Sequence, residues 1–296
     1  MDVSGLREAA QQSIADIAAG SELQHSACAG GQMPWRRWPQ SNMDSGRGTP
    51  IVLLHGGSGS WTHWLRNVGV LSAVGDVYAA DLPGLGDAAM FAGDYTAQDV
   101  ADCVVQGLHE LVDDGPVHLV GFSWGCTPAA LAAAAPGIEP ASLTLVGPAS
   151  VGDLPRRTQM QPLIRRTPDM SDAEVWAANQ ENLARLMFHD RTLIDPVAVY
   201  AQVMNQQRAR FNSRQFALSD LVLQGLRETD CPALVLYGEF DAPAWPEIEA
   251  RRTAIGEARP DATFEVVPAG GHWLQYECDD VFNACCLSWF DQLAHG

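Results

Sequence analysis

The sequence predicts an α/β domain on a doubly wound, mostly parallel sheet, with an N-terminal antiparallel hairpin and a helical insertion. Two observations carry this. Short apolar runs alternate with helical stretches from Ile51 onward, and the strand signal vanishes between about 150 and 226 before resuming at Ala233. Parallel neighbours need a long crossover, which helices supply.

Taken in order, Leu6 to Ala18 places Leu6, Ala10, Ile14 and Ile17 at helical spacing. Glu22 to Cys28 and Gln32 to Trp38 read as strands joined by Ala29-Gly30-Gly31, a hairpin. Strands follow at Ile51 to His55, Val77 to Ala80, Val117 to Phe122 and Ser142 to Val146. Between them lie helices after Trp61, over Thr96 to Val112 and from Trp124. In the insertion, Ser171-Asp172-Ala173-Glu174 is a capping box opening a helix with Val175, Asn179, Leu183 and Leu186 on its inner face. Asp195-Pro196 starts a second helix by the N-cap and N1 rule, through Val199, Val203 and Gln207. The alternation then returns with strand Ala233 to Tyr237, a helix over Pro246 to Ile255, strand Thr263 to Val267 and a last helix after Asp279. That helix turns Phe282, Cys285, Cys286, Trp289, Phe290 and Leu293 to one face, so its cysteine pair fills core. The expected organisation is a core of residues 1–149 and 227–296 around an insertion of 150–226.

Composition narrows the function. The 296 residues are 47% apolar and 18% charged, enough for a substantial core, and runs such as Ile51 to Leu54 are far too short to span a membrane. A formal charge of −18 argues against nucleic acid or anionic lipid as partner. All eighteen basic residues are arginine, and the absence of lysine excludes mechanisms that need an amine, from a P-loop to a Schiff base. Seven cysteines with no C-x-x-C pair fit a reduced compartment, and Met1 to Gly20 lacks the apolar region of a secretory signal, so a cytoplasmic location is expected. Charge is uneven: nine arginines against eight acids in 150–226 leave +1, whereas nine against 28 elsewhere leave −19. Most of those insertion arginines read as solvated helix faces; the sharper reading is that one or two point into a cleft and hold an anion.

Gly121-Phe122-Ser123-Trp124-Gly125 follows an apolar strand and opens a small-residue helix. In that context a G-x-S-x-G match marks an exposed nucleophile on a tight turn. A serine hydroxyl is weakly nucleophilic and needs a base. His272, in the Gly270-Gly271-His272 loop beyond a strand end, fits that role; His55 ends a strand, and His25, His63 and His295 lack such context. A carboxylate must fix the imidazole tautomer, and Asp241 in Gly238-Glu239-Phe240-Asp241 completes the order Ser, Asp, His, with Glu239 as rival. The oxyanion needs preorganised N–H donors, expected from Trp124 and from Gly57 in His55-Gly56-Gly57-Ser58-Gly59. Phe122 and Gly56 adjoin these groups and are expected to touch substrate. The chemistry calls for neither metal nor cofactor.

Together the HGG loop, Asp81-Leu82-Pro83-Gly84-Leu85-Gly86, the serine elbow, the G-x-x-D turn and Gly271-His272-Trp273 resemble the α/β-hydrolase superfamily across essentially the whole chain. The resemblance implies the α/β-hydrolase fold and places 150–226 where that family carries its cap. Gly271 to Glu277 is similar to the corresponding segment of meta-cleavage-product hydrolases, which split a carbon-carbon bond; by that resemblance Trp273 lines the pocket. Where those enzymes carry Asn before the nucleophile and Arg in a cap helix, this chain has Phe122 and Gln202, with Arg208 and Arg210 as possible replacements. The resulting expectation is a serine hydrolase of a small to medium, largely apolar ester or lactone. A carbon-carbon bond hydrolase, an acyltransferase and a non-catalytic ligand receptor stand as alternatives. The partner is a small molecule, and a homodimer is compatible with the sequence.

Overall fold

A computed structural model describes residues 3–43, 46–112 and 114–295. Met1, Asp2, Asp44, Ser45, Asp113 and Gly296, counted above with the core, lie outside them. The strands are β1 (Glu22–Cys28), β2 (Gly31–Trp38), β3 (Ile51–Leu54), β4 (Val77–Ala80), β5 (Pro116–Phe122), β6 (Glu139–Val146), β7 (Ala233–Gly238) and β8 (Thr263–Val267). They form one sheet in the order β1-β2-β4-β3-β5-β6-β7-β8. The β1–β2 and β2–β4 pairs are antiparallel and the rest parallel. The hairpin turns on Ala29 and Gly30, both at positive φ, as a two-residue connection requires, and Gly31 already pairs with Cys28.

The helices are α1 (Val3–Ala19), α2 (Val68–Leu71), α3 (Ala97–Leu111), α4 (Cys126–Ala133), α5 (Asp172–Leu186), α6 (Pro196–Arg208), α7 (Leu221–Glu228), α8 (Ile248–Ala258), α9 (Leu274–Glu277) and α10 (Asp279–His295). On one sheet face α3, α4, α7 and α8 bury Val104, Ala130, Leu226 and Ile255 against Val52, Leu119 and Val235. On the other, α1, α2 and α10 pack Val3, Leu71 and Phe282 against Ile51, Leu53 and Val120. With helices on both faces, β3 and β4 are buried at every residue and carry no polar alternation.

Some elements depart from expectation. The helix after Trp61 is a 3-10 turn, Trp61–Trp64, followed by the four-residue α2. Buried Asn67 separates them; its Nδ2 donates to Gln275 O and Asn283 Oδ1, so tertiary bonds interrupt the helix. Ser123–Gly125 is likewise a 3-10 turn leading into α4. In α10 Phe282, Cys286 and Phe290 are buried, while Cys285 and Trp289 are half-buried.

Between β6 and β7 the described chain holds no strand. Ser171 and Glu174 form the capping box of α5, and Asp195 Oδ1 accepts the Ala198 N–H at 2.8 Å to start α6. The buried face of α5 is rotated from the expected one, comprising Trp176, Ala178, Asn179, Asn182 and Leu183, because Trp176 enters the core while Val175 and Leu186 stay half-buried. No described helix is long and apolar enough to cross a membrane.

Candidate active site

The strands β5, β7 and β8 lead, at their carboxyl ends, into the segments that carry Ser123, Asp241 and His272. Ser123 sits at φ 51°, the left-handed strain expected of a side chain thrust out of a strand-to-helix turn. A Cβ on Gly121 would stand 2.6 Å from Cys126 Cα, and one on Gly125 would stand 2.2 Å from Leu54 O, which is why glycines flank the serine.

His272 Nε2 lies 3.0 Å from Ser123 Oγ, and His272 Nδ1 lies 2.7 Å from Asp241 Oδ2. Asp241 is 1% exposed and His272 6%. The second carboxylate oxygen of Asp241 accepts the Ala244 N–H at 3.2 Å. The rival Glu239 turns away, its Oε2 accepting the Ala269 N–H at 2.9 Å, and so steadies the loop that precedes His272. Glu277 performs a similar task from the other side: one oxygen accepts the Gly271 N–H and the other the Asp190 N–H, and burial raises its pKa.

Gly147, at the end of β6, passes directly beneath the acid-imidazole pair. A Cβ there would lie 2.7 Å from Asp241 Oδ2 and 3.0 Å from His272 Nδ1, and its φ of 51° independently favours glycine. The peptide ahead of Gly57 is gripped by two imidazoles. Leu82 N–H donates to His55 Nε2 at 2.9 Å, so the neutral ring carries its proton on Nδ1 and donates to Gly56 O at 2.8 Å. Gly56 N–H donates to His63 Nδ1 at 3.1 Å, which leaves the His63 proton on Nε2. Burial pushes His55 down to about 4, and burial with the neighbouring His55 and His272 pushes His63 below the usual imidazole range. Both rings stay neutral near pH 7. His63 had no distinguishing sequence context, because its role depends on a partner outside its own turn.

Ser123, Asp241, His272, Gly147 and His63 border one cavity that opens to solvent. Gly56, Gly57, Phe122 and Trp124 line it beside Ser123. Trp273 does not. It is fully buried behind His63, whose carbonyl accepts its indole N–H at 2.9 Å, because the chain turns into α9 just after His272 and carries the next side chain into the core. Gln202 reaches the cavity from α6, but Arg208 pairs with Asp87 and Arg210 donates to Ala88 O, so neither replaces a cationic residue there. The arginines that do line it are Arg156, Arg157, Arg214 and Arg251. The cavity is therefore less apolar than the expected substrate suggested.

Residues 51–284 match the model of the alpha/beta hydrolase family. The chain belongs to that family. A 2-hydroxy-6-oxononadienedioate/2-hydroxy-6-oxononatrienedioate hydrolase from Comamonas testosteroni is 27% identical to this alpha/beta hydrolase over 265 residues, covering 86% of this chain and 90% of the relative. The dihydrolipoyllysine-residue acetyltransferase component of an acetoin cleaving system from Pseudomonas putida is 29% identical over 291 residues, covering 93% of this chain and 70% of the relative. Among solved structures, naproxen esterase from Bacillus subtilis superposes with a TM-score of 0.73 at 20% identity, covering 98% of this chain and 99% of that one. That likeness bears on fold alone.

Proposed function

We propose that this alpha/beta hydrolase cleaves an acyl bond, ester or lactone, with Ser123 as nucleophile, His272 as base and Asp241 as the carboxylate that orients it. The observation that carries the reading is the continuous relay from Ser123 Oγ through His272 to Asp241, at 3.0 and 2.7 Å. As Ser123 Oγ attacks the carbonyl carbon, His272 Nε2 takes its proton, and Asp241 stabilises the imidazolium. The tetrahedral oxyanion is received by the N–H groups of Gly57 and Trp124. His272 returns the proton to the departing alkoxide, and water then repeats the sequence on the acyl-enzyme. Residues 150–226 act as a cap: α5 and α6 bring Asn182, Leu186 and Gln202 to the cavity wall.

Ser123→Ala is expected to lower kcat by roughly four to six orders of magnitude and to abolish labelling by a fluorophosphonate probe. Ordinary turnover and labelling by that variant would refute the reading. Carbon-carbon bond hydrolysis is the second reading, favoured by the name of the Comamonas relative. Side-by-side assay of apolar esters, lactones and a meta-cleavage dienol acid separates the two, and added alcohol or thiol acceptor reveals any acyl transfer.

A further inference from the structure

The cavity beside Ser123 is lined by four arginines and, among the described residues, by one carboxylate, Asp241, which is already bonded to His272. In a chain of net charge −18 this local excess of cations is out of keeping with the whole. Arg251 is buried and donates from Nη1 to Glu247 O at 3.0 Å, which accounts for its presence. Nothing comparable accounts for Arg157. Its Nε is buried with no hydrogen-bond partner, and among the described residues no carboxylate pairs with it. Arg156 and Arg214 lie close enough to act on it, and with burial they lower its pKa.

The backbone holds that guanidinium in place. Arg157 adopts φ 55°, a left-handed conformation uncommon for a residue with a side chain. It is pinned on both sides, its N–H donating to Pro243 O at 3.0 Å and its carbonyl accepting the Met160 N–H at 3.2 Å. A buried unpaired N–H and mutual repulsion among cations are both unfavourable, so their retention at a strained position in a cavity points to a ligand that satisfies them. A guanidinium matches the paired oxygens of a carboxylate or phosphate in geometry and charge.

We infer that Arg157, with Arg156 beside it and Arg214 at the mouth, forms a subsite for an oxyanionic group, carboxylate or phosphate, carried by the substrate whose acyl carbon reaches Ser123. The inference rests on the hydrolase reading for the words "substrate" and "acyl", and on the arginine geometry for the rest. Leu154, Leu163 and Leu186 line the same cavity, so the substrate class is an acyl compound with an apolar body and an anionic end.

The test has a kinetic and a binding arm. Three activated esters of equal length, ending in a carboxylate, a phosphate or a neutral amide, are compared on the wild type, Arg157→Gln, Arg157→Lys and Arg214→Gln. The wild type should prefer an anionic ester, and Arg157→Gln should reduce the anionic-to-neutral ratio of kcat/KM by about 10- to 100-fold, the range of a charge-assisted hydrogen bond. Arg157→Lys should restore part of the ratio, Arg214→Gln should reduce it less, and added salt should weaken it. In the binding arm, Ser123→Ala protein is titrated calorimetrically with glutarate and with inorganic phosphate, and the anion that binds identifies the source. Binding that persists in the Ser123→Ala, Arg157→Gln double variant, or a wild type indifferent to the ester's charge, overturns the subsite. Arg157-dependent anion binding with no ester turnover would sink the hydrolase reading and leave the subsite standing. If Arg157→Gln fails to fold, the Arg214→Gln ratio and the salt response still decide.

Discussion

The two walls of the cavity are built by different means. On the sheet side, Ser123, Asp241, His272 and Gly57 sit just past strand ends, and their neighbours are backbone groups or buried glycines that leave little choice of position. On the insertion side, Arg156, Arg157 and Leu163 lie on a long loop after β6 and Arg214 on a short 3-10 turn, where a single tertiary bond such as Arg157 N–H to Pro243 O fixes a position. Asn182 illustrates the second manner: its carboxamide clasps both the N–H and the carbonyl of Ile164. A parallel sheet brings strand ends together whatever the loops contain, which suits them to carry the proposed reaction chemistry, whereas the opposite wall can vary without disturbing it.

If that division holds, the largest loss should follow damage to the sheet side that leaves the fold intact. Asp241→Asn is expected to lower kcat about 10⁴-fold, by favouring the wrong imidazole tautomer, with Glu239→Gln costing far less. A reversed order in steady-state assays would shift the carboxylate role to Glu239.

Acid should also strike the sheet itself, where buried imidazoles lie just after β3, at His55, and on β5, at His118. His55 and His118 are each held down to about 4 by burial, below an unfolded value near 6.5. Each therefore contributes stability that is present above 6.5 and lost as pH falls toward 4, about 3 kcal/mol apiece. Asp81 works in the opposite sense: burial raises it to about 6, so its contribution of about 3 kcal/mol is present below 3.8 and lost as pH rises through 6. His63, also depressed, adds to the imidazole side. The sum predicts a lower urea midpoint at pH 5 than at pH 7, and a flat or rising profile on acidification would contradict it.

Gly147→Ala tests how closely the sheet side is fitted. With its Cβ directed at Asp241 and His272 from a strained φ, the variant should lose about 100-fold in kcat and on the order of 1–3 kcal/mol of stability. Smaller effects belong to the insertion. Leu186→Ala or Gln202→Ala should reorder a series of esters of increasing length by about tenfold, more than either changes reactivity toward a small activated acetyl ester. Equal loss on every ester would remove the distinction between the walls.

The same division explains what could be read from the sequence. The strands were legible because apolar runs such as Val117 to Phe122 are bounded by turn residues, and Ser123, Asp241 and His272 because each follows such a run. The family model and the sheet order agree with that reading of the fold. Gly147 is not legible because its importance lies in residues far along the chain, the His272–Asp241 pair, and His63 because its partner Gly56 lies outside its own turn. Trp273 misled for the converse reason: adjacency to His272 does not survive the turn into α9. Arg157 occupies a stretch without periodicity, where a sequence shows charge but not direction.

Ser123 and His272 stand 149 positions apart, with β6, the whole insertion, β7 and β8 between them. On the mechanism we propose, a chain still lacking β8 has a serine elbow but no base to activate it. Acylation therefore reports on completed molecules only, and the fraction of a preparation that takes up an active-site label counts the chains whose last strands have docked. During synthesis the same arrangement keeps the nucleophile silent until the β8 edge and its loop close the relay.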